Sequence, residues 1–210
     1  MKKKLLGRIN KVAVTFIFSD FLLHTGWGLI GPIFAIFLIE NIKGGNLGTV
    51  GFVAATYWFV KSVSQPFIAN AFDLNKGEED DFKFLITGMV VANLVPLGYF
   101  FSTQIHHIFL LEAIRGMAMA FVVPAWLGMF SRHINKNWYA FTWSIQSTSI
   151  GLSMAFAAAF GGVIASLLGF KVIFILVSIF GLFSTSFLFS LRNKIFLKDH
   201  ETFNPVFYEE

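Results

Sequence analysis

Residues 12–39 read VAVTFIFSDFLLHTGWGLIGPIFAIFLI, an apolar stretch interrupted mainly by Asp20, His24 and a few glycines and hydroxyls. A bilayer core about 30 Å thick is crossed by a helix of roughly 20 apolar residues. The stretch exceeds that length, is too long for the core of a cleaved leader and ends without a small-residue cleavage site. It reads as a retained membrane span. Lipid offers no hydrogen bonds to a peptide backbone, so the span must be helical.

Five further apolar stretches follow, at about 48–70, 83–103, 106–130, 138–167 and 170–191. Short polar or glycine-bearing turns separate them: Asn41 to Asn46, Asp73 to Asp81, Ser102 to Gln104, Arg132 to Asn137, and Gly169. Of 210 residues, 56% are hydrophobic and 13% charged, whereas soluble domains carry about 25% charged residues. The prediction is an all-α membrane protein of six transmembrane helices, with no room for a folded domain outside the bilayer. A basic segment at 1–11 precedes the bundle at 12–192, and a polar tail occupies 193–210. With no cysteine in the chain, disulfides, thiol catalysis and thiolate metal sites are excluded.

The net charge of +4 comes from residues flanking spans and does not indicate nucleic acid. Lys2, Lys3, Lys4, Arg8, Lys11, Lys76, Lys83, Arg132, Lys136, Arg192, Lys194 and Lys198 fall on one side, and only Lys43 and Lys171 on the other. By the positive-inside rule both termini are expected in the cytoplasm, with the bundle in the cell membrane.

Four ionisable residues remain inside spans: Asp20, Lys61, Glu112 and Arg115. Each costs about 2.5–3.5 kcal/mol at a helix centre on insertion scales, so such groups face one another or a wet cavity. Spans 1, 2 and 4 carry these charges, and span 5 carries Thr142, Gln146, Ser149 and Ser153 on one face. Spans 3 and 6 hold only Thr87, Asn93 and scattered serines, and read as lipid-facing outer helices. The order rich, rich, poor occurs twice, and Pro32 and Pro124 occupy similar places in spans 1 and 4. This suggests a 3+3 inverted repeat, about 12–103 and 106–192, the plan of many transporters.

Several of these residues carry a resemblance. Gly31-Pro32-Ile33-Phe34 with Leu38 and Glu40, Gly48-Thr49-Val50-Gly51, Gly116 with Pro124-Ala125-Trp126, and Gly161-Gly162 followed by Gly169-Phe170 and Phe174 resemble the N-terminal six-helix half of the major facilitator superfamily. The resemblance covers roughly residues 10–192. It implies one half of a secondary transporter that works by rocking of two halves. The loop between spans 2 and 3 departs from the family's G-x-L-a-D-r-x-G-r-k. Asp73 matches the aspartate, Ala69 replaces the first glycine, Lys76 sits at the second glycine with Gly77 one residue late, and an acidic run, Glu78 to Asp81, replaces the basic pair. Glu112 stands where the family places an arginine, and Arg115 nearly one turn on, within reach of Glu112 at i, i+3. Ala157-Ala158 replaces the Gly-Pro of the antiporter pattern. Members usually have twelve helices, so the resemblance implies a half-sized transporter or a fragment.

Asp20, His24, Trp27 and Gly31 share one face of span 1. Asp20 is the candidate proton- or substrate-binding carboxylate, and His24 is either its relay or a histidine bonded to a nearby carbonyl. Lys61, near the middle of span 2 beside Tyr57, Trp58, Ser64 and Gln65, is expected to bind an anionic group or neutralise Asp20. Glu112 and Arg115 either serve transport or pair structurally. Gln146 is the expected polar contact of span 5. Asp73, Gly116, Pro124, Gly161 and Gly162 are assigned to gating or helix packing. The small-residue rows Gly151, Ala155, Ala159 and Ala158, Gly162, Ser166 are expected to pack against another helix. The five histidines lack metal-ligand spacing and no hydrolase motif occurs, so neither enzyme, cofactor nor metal is predicted.

The expected function is secondary transport of a small solute by alternating access, with Asp20 as the candidate site of proton coupling. Its unit is expected to be a parallel homodimer, or this half with a separate six-helix half, because Asp20, Lys61 and the polar face of span 5 otherwise lack an opposite wall. A membrane scaffold or partner subunit without transport is the alternative. Aromatics and mixed charge suit sugars, amino acids, drugs and organic ions alike.

Overall fold

The computed structural model describes residues 9–74 and 78–192. Its helices are α1 (Lys11–Ile30), α2 (Phe34–Asn41), α3 (Leu47–Leu74), α4 (Glu78–Phe101), α5 (Ile105–Arg132), α6 (Tyr139–Leu168) and α7 (Phe170–Phe189), with one 3-10 turn at Lys136–Trp138. The basic residues Lys2, Lys3, Lys4, Arg8, Lys76, Lys194 and Lys198, Gly77 and the tail 193–210 lie outside the described residues.

The first span is two helices where one was expected. Pro32 has no N–H and its ring crowds the carbonyl four residues back, which breaks a helix. Here α1 stops at Ile30, the Gly31 N–H closes onto Trp27 O at 3.2 Å, and α2 restarts with Phe37 N–H on Ile33 O at 3.0 Å. Pro124 does not repeat the break, and α5 runs through it. At the other end of α1, Asn10 caps the helix by accepting from Val12 N–H at 3.0 Å. Gly169, at φ 81°, makes the corner from α6 into α7, a conformation that favours glycine.

Among the described residues, the Leu47–Leu74 helix is not one of the five long and apolar enough to cross a membrane by composition. At 28 residues it is about 42 Å long and spans by length alone. Its polar content (Lys61, Gln65, Asn70, Asp73) is what sets it apart.

The helices pack in a pattern that repeats. Helix α3 packs on α5 as α6 packs on α1, α4 packs on α5 as α7 packs on α1, and α4 and α7 meet each other. Exchanging α1–α2, α3, α4 for α5, α6, α7 maps this set of contacts onto itself. Each unit crosses three times, so the second starts on the opposite face, which makes the repeat inverted.

Close backbone approach decides two of these contacts. A Cβ on Gly116 would lie 2.8 Å from Tyr57 O of α3, and one on Gly161 would lie 2.2 Å from Leu29 O of α1. Lipid tails are as apolar as leucine, so helices associate by such close packing and by polar pairs. The two small-residue rows expected to do this work on α6 are exposed, and Gly151 and Gly162 have nothing nearby. The row that packs is Ser153, Ala157 and Gly161, continuing Thr142 and Gln146 at heptad spacing. The polar residues on α6 face α1 and bring the row beside them along.

Helices α4 and α7 also depart from the lipid-facing role expected of spans 3 and 6. They bury nearly half of their apolar stretches, whereas α6 buries the smallest share of the five apolar helices. Their few polar groups form the seam. Asn93 Nδ2 donates to Gly181 O at 3.1 Å and Thr185 Oγ1 at 3.3 Å, and Ser19 and Ser184 hydroxyls each donate to the other's carbonyl at 3.0 and 2.7 Å. At the Arg132 end of α5, the acidic run finds its partner: Arg132 Nε meets Glu78 at 2.7 Å and Nη2 meets Asp81 at 2.6 Å. Asp73 is exposed and forms no hydrogen bond or ion pair among the described residues.

Because Gly161 lies against backbone and Gly162 against open space, Gly161→Val is expected to destabilise the bundle by about 1–3 kcal/mol through overpacking. Gly162→Val is expected to stay within about 0.5 kcal/mol of the parent. Thermal unfolding of the purified variants in one detergent measures the difference.

Candidate functional site

The intramembrane charges separate into two groups along the bundle. The first lies toward the Lys11 end of α1. Asp20 is buried and accepts a short hydrogen bond from Gln146 Nε2 of α6. The indole of Trp126 stands beside the same carboxylate, its N–H short of hydrogen-bond geometry. Gln146 Oε1 is buried without a partner. The His24 ring bonds the Asp20 carbonyl through Nδ1 at 2.9 Å and does not bond the carboxylate, so the carbonyl-bound alternative is the one seen. Thr142 and Ser153 are buried with Gln146 and donate to the carbonyls of Trp138, just before α6, and Ile150. Asp20 and the polar face of α6 therefore close on each other within this half, and the expectation that they need an outside wall is corrected. Carboxylate and amide are complementary, so each satisfies part of the other's demand.

The second group lies where α1, α3, α4 and α5 meet. Glu112 is 1% exposed. Its Oε1 takes a short bond from Tyr99 OH of α4, and its Oε2 takes Arg115 Nε at 3.1 Å and Nη2 at 2.5 Å. The guanidinium lies 3.8 Å from the Tyr57 ring centre and 4.7 Å from that of Trp27. Trp27 in turn donates to Asn93 Oδ1 at 3.3 Å. The i, i+3 spacing read from the sequence forms the pair, and Tyr99, Tyr57 and Asn93 complete it from other helices.

Lys61 belongs beside this group and not with Asp20. It forms no hydrogen bond or ion pair among the described residues, and its Nζ lies 4.9 Å from the Trp58 ring centre and 6.0 Å from that of Tyr57. The expected neutralisation of Asp20 by Lys61 does not form. Lys61 is half-buried, Gln65 likewise, and Trp58 is 58% exposed. Phe52, Phe59 and Val63 occupy the reverse side of α3 and are exposed. Lys61 is two residues from Phe59 and from Val63, about 200° round the helix. One side of α3 thus suits lipid, and the other carries a cation and an amide. Of the residues missed in the sequence, Tyr99 carried no signal, while the acidic run Glu78 to Asp81 signalled Arg132 by opposite charge; Tyr57, read there as a neighbour of Lys61, also carries Arg115. No group of three or more metal-ligating side chains occurs among the described residues.

Removing Glu112 strands Arg115 in a largely buried setting, which costs about 3–5 kcal/mol for a buried pair. Glu112→Leu is therefore expected to lower the unfolding temperature far more than Lys61→Met, which breaks no ion pair. A reversed order in thermal unfolding refutes this division of roles.

Comparison with known proteins agrees with the architecture. No curated protein matches the chain. The family model described as Major Facilitator Superfamily matches residues 16–203, nearly all of the bundle and its two three-helix units. A multi-pass helical membrane protein with paired ions at its centre, this chain belongs to the Major Facilitator Superfamily, a family of transporters.

Proposed function

We propose that the protein moves a small solute by alternating access, as a parallel pair of six-helix halves, with a proton bound at Asp20. The observation that carries the reading is Lys61, a cation in mid-span with no acid partner among the described residues, on the polar side of α3. A membrane-embedded cation of this kind needs water or a counter-charge. A second half facing α3 encloses that side as a wet cavity, and rocking of the halves opens it alternately. The charge bias of the flanking basic residues supports the same orientation for both copies, with termini in the cytoplasm.

The amide of Gln146 supports the proton. A carboxylate uses only its Nε2, leaving Oε1 unpaired as observed. A protonated Asp20 offers an O–H, and Gln146 Oε1 is the adjacent acceptor, so acid and amide then satisfy each other at both atoms. Proton binding completes the pair and proton release leaves it incomplete. Closure of Asp20 and Glu112 within one half favours a second reading, a scaffold that uses its ions for packing.

Asp20→Asn separates the two readings. An amide at this position mimics the protonated acid and keeps its bond to Gln146, so the bundle is expected to fold. In liposomes with a solute panel, this variant is expected to retain solute counterflow and lose the uptake driven by a pH gradient. Parent protein that moves no solute with or without the gradient supports the scaffold, and cross-linking in native membranes that captures only monomers removes the homodimer.

A further inference from the structure

The second charge group carries more than a counter-charge for one lysine. Arg115 is neutralised by Glu112, while Lys61 has no acid beside it. Both cations rest on the same ring, Tyr57, with Lys61 also over Trp58 and Arg115 also over Trp27. Two like charges brought together in a weakly screened setting repel. Cation–π contacts hold Lys61, while Arg115 has the Glu112 carboxylate as well. The arrangement is a cationic site held open on aromatic faces.

From this geometry we infer that the solute is a small organic anion whose carboxylate or phosphate docks between Lys61 and Arg115 and whose body lies against Trp58 and Gln65. The inference deepens the transport reading and rests on it only for the solute's being carried. The anion supplies the charge the cluster lacks, and the exposed Trp58 face and the Gln65 amide are the surfaces left for the rest of the molecule. Lys61 is free to turn from Trp58 toward the anion because no hydrogen bond is lost. Glu112 keeps Arg115 in place, so the anion meets a cluster whose net charge is that of Lys61 alone, which favours monoanions over dianions.

Binding tests the site without transport. Purified protein in detergent is titrated with benzoate, succinate and phenyl phosphate, and with benzamide and benzylamine as neutral and cationic counterparts, following tryptophan fluorescence with Trp58→Phe as the reporter control. Saturable binding of benzoate, tighter than that of the dianion succinate, and of neither counterpart, is expected. Lys61→Met is expected to weaken it roughly tenfold or more, equivalent to 1.4 kcal/mol, and Lys61→Arg to preserve most of it. Elution and unfolding temperature like those of the parent show that Lys61→Met is folded. No binding by any of the three anions, equal binding of benzamide, or unchanged affinity in Lys61→Met overturns the inference. Anion binding without uptake into liposomes leaves the site standing and removes the transport reading. Uptake of a neutral or cationic solute that survives Lys61→Met does the reverse.

Discussion

Glu112 sits almost wholly out of solvent in the middle of a membrane bundle, and much of the structure follows from satisfying it. A carboxylate in that setting needs donors at both oxygens or it costs several kcal/mol. Tyr99 of α4 takes one oxygen and Arg115 the other. Arg115 then lies on Tyr57 of α3 and Trp27 of α1, Trp27 reaches Asn93 of α4, and Asn93 reaches α7. One line of polar contacts thus ties five helices, and Asp20 with Gln146 adds α6. Lipid supplies no hydrophobic drive for helices to associate, so polar lines and glycine contacts hold them together.

The glycine contacts follow the same plan. Gly116 sets α5 on α3, and Gly161 with Gly28 sets α6 on α1, which are the paired contacts of the two three-helix units. The seam of Asn93, Thr185, Ser19 and Ser184 then joins the units through α4, α7 and α1. A bundle tied in this way across its helices suits the proposed rocking of one half against another.

The ions divide by exposure, and the division bears on function. Asp20 and Glu112 are enclosed by donors from neighbouring helices, while Lys61 stands where α3 turns a polar side outward and an apolar side, Phe52, Phe59 and Val63, the other way. A helix in lipid has no use for a polar side unless water or protein covers it. That asymmetry separates Asp20 and Glu112, which meet partners on neighbouring helices, from Lys61, which the proposed reading leaves for a solute.

The membrane class, the number of spans, their order and the family were legible in the chain, because apolar length and polar interruptions are properties of consecutive residues. So was the Glu112–Arg115 pair, since i, i+3 neighbours on a helix meet whatever the fold. Which ions meet across helices was not legible. Asp20 pairs with Gln146 and not with Lys61, the small rows of α6 face outward while Ser153, Ala157 and Gly161 pack, and Asn93 turns a seemingly plain α4 into a seam. Those outcomes depend on the rotation of each helix about its own axis, and a turn of about 100° per residue moves a side chain from lipid to core. Sequence spacing sets which residues share a helix face. Only the packed bundle decides what that face meets.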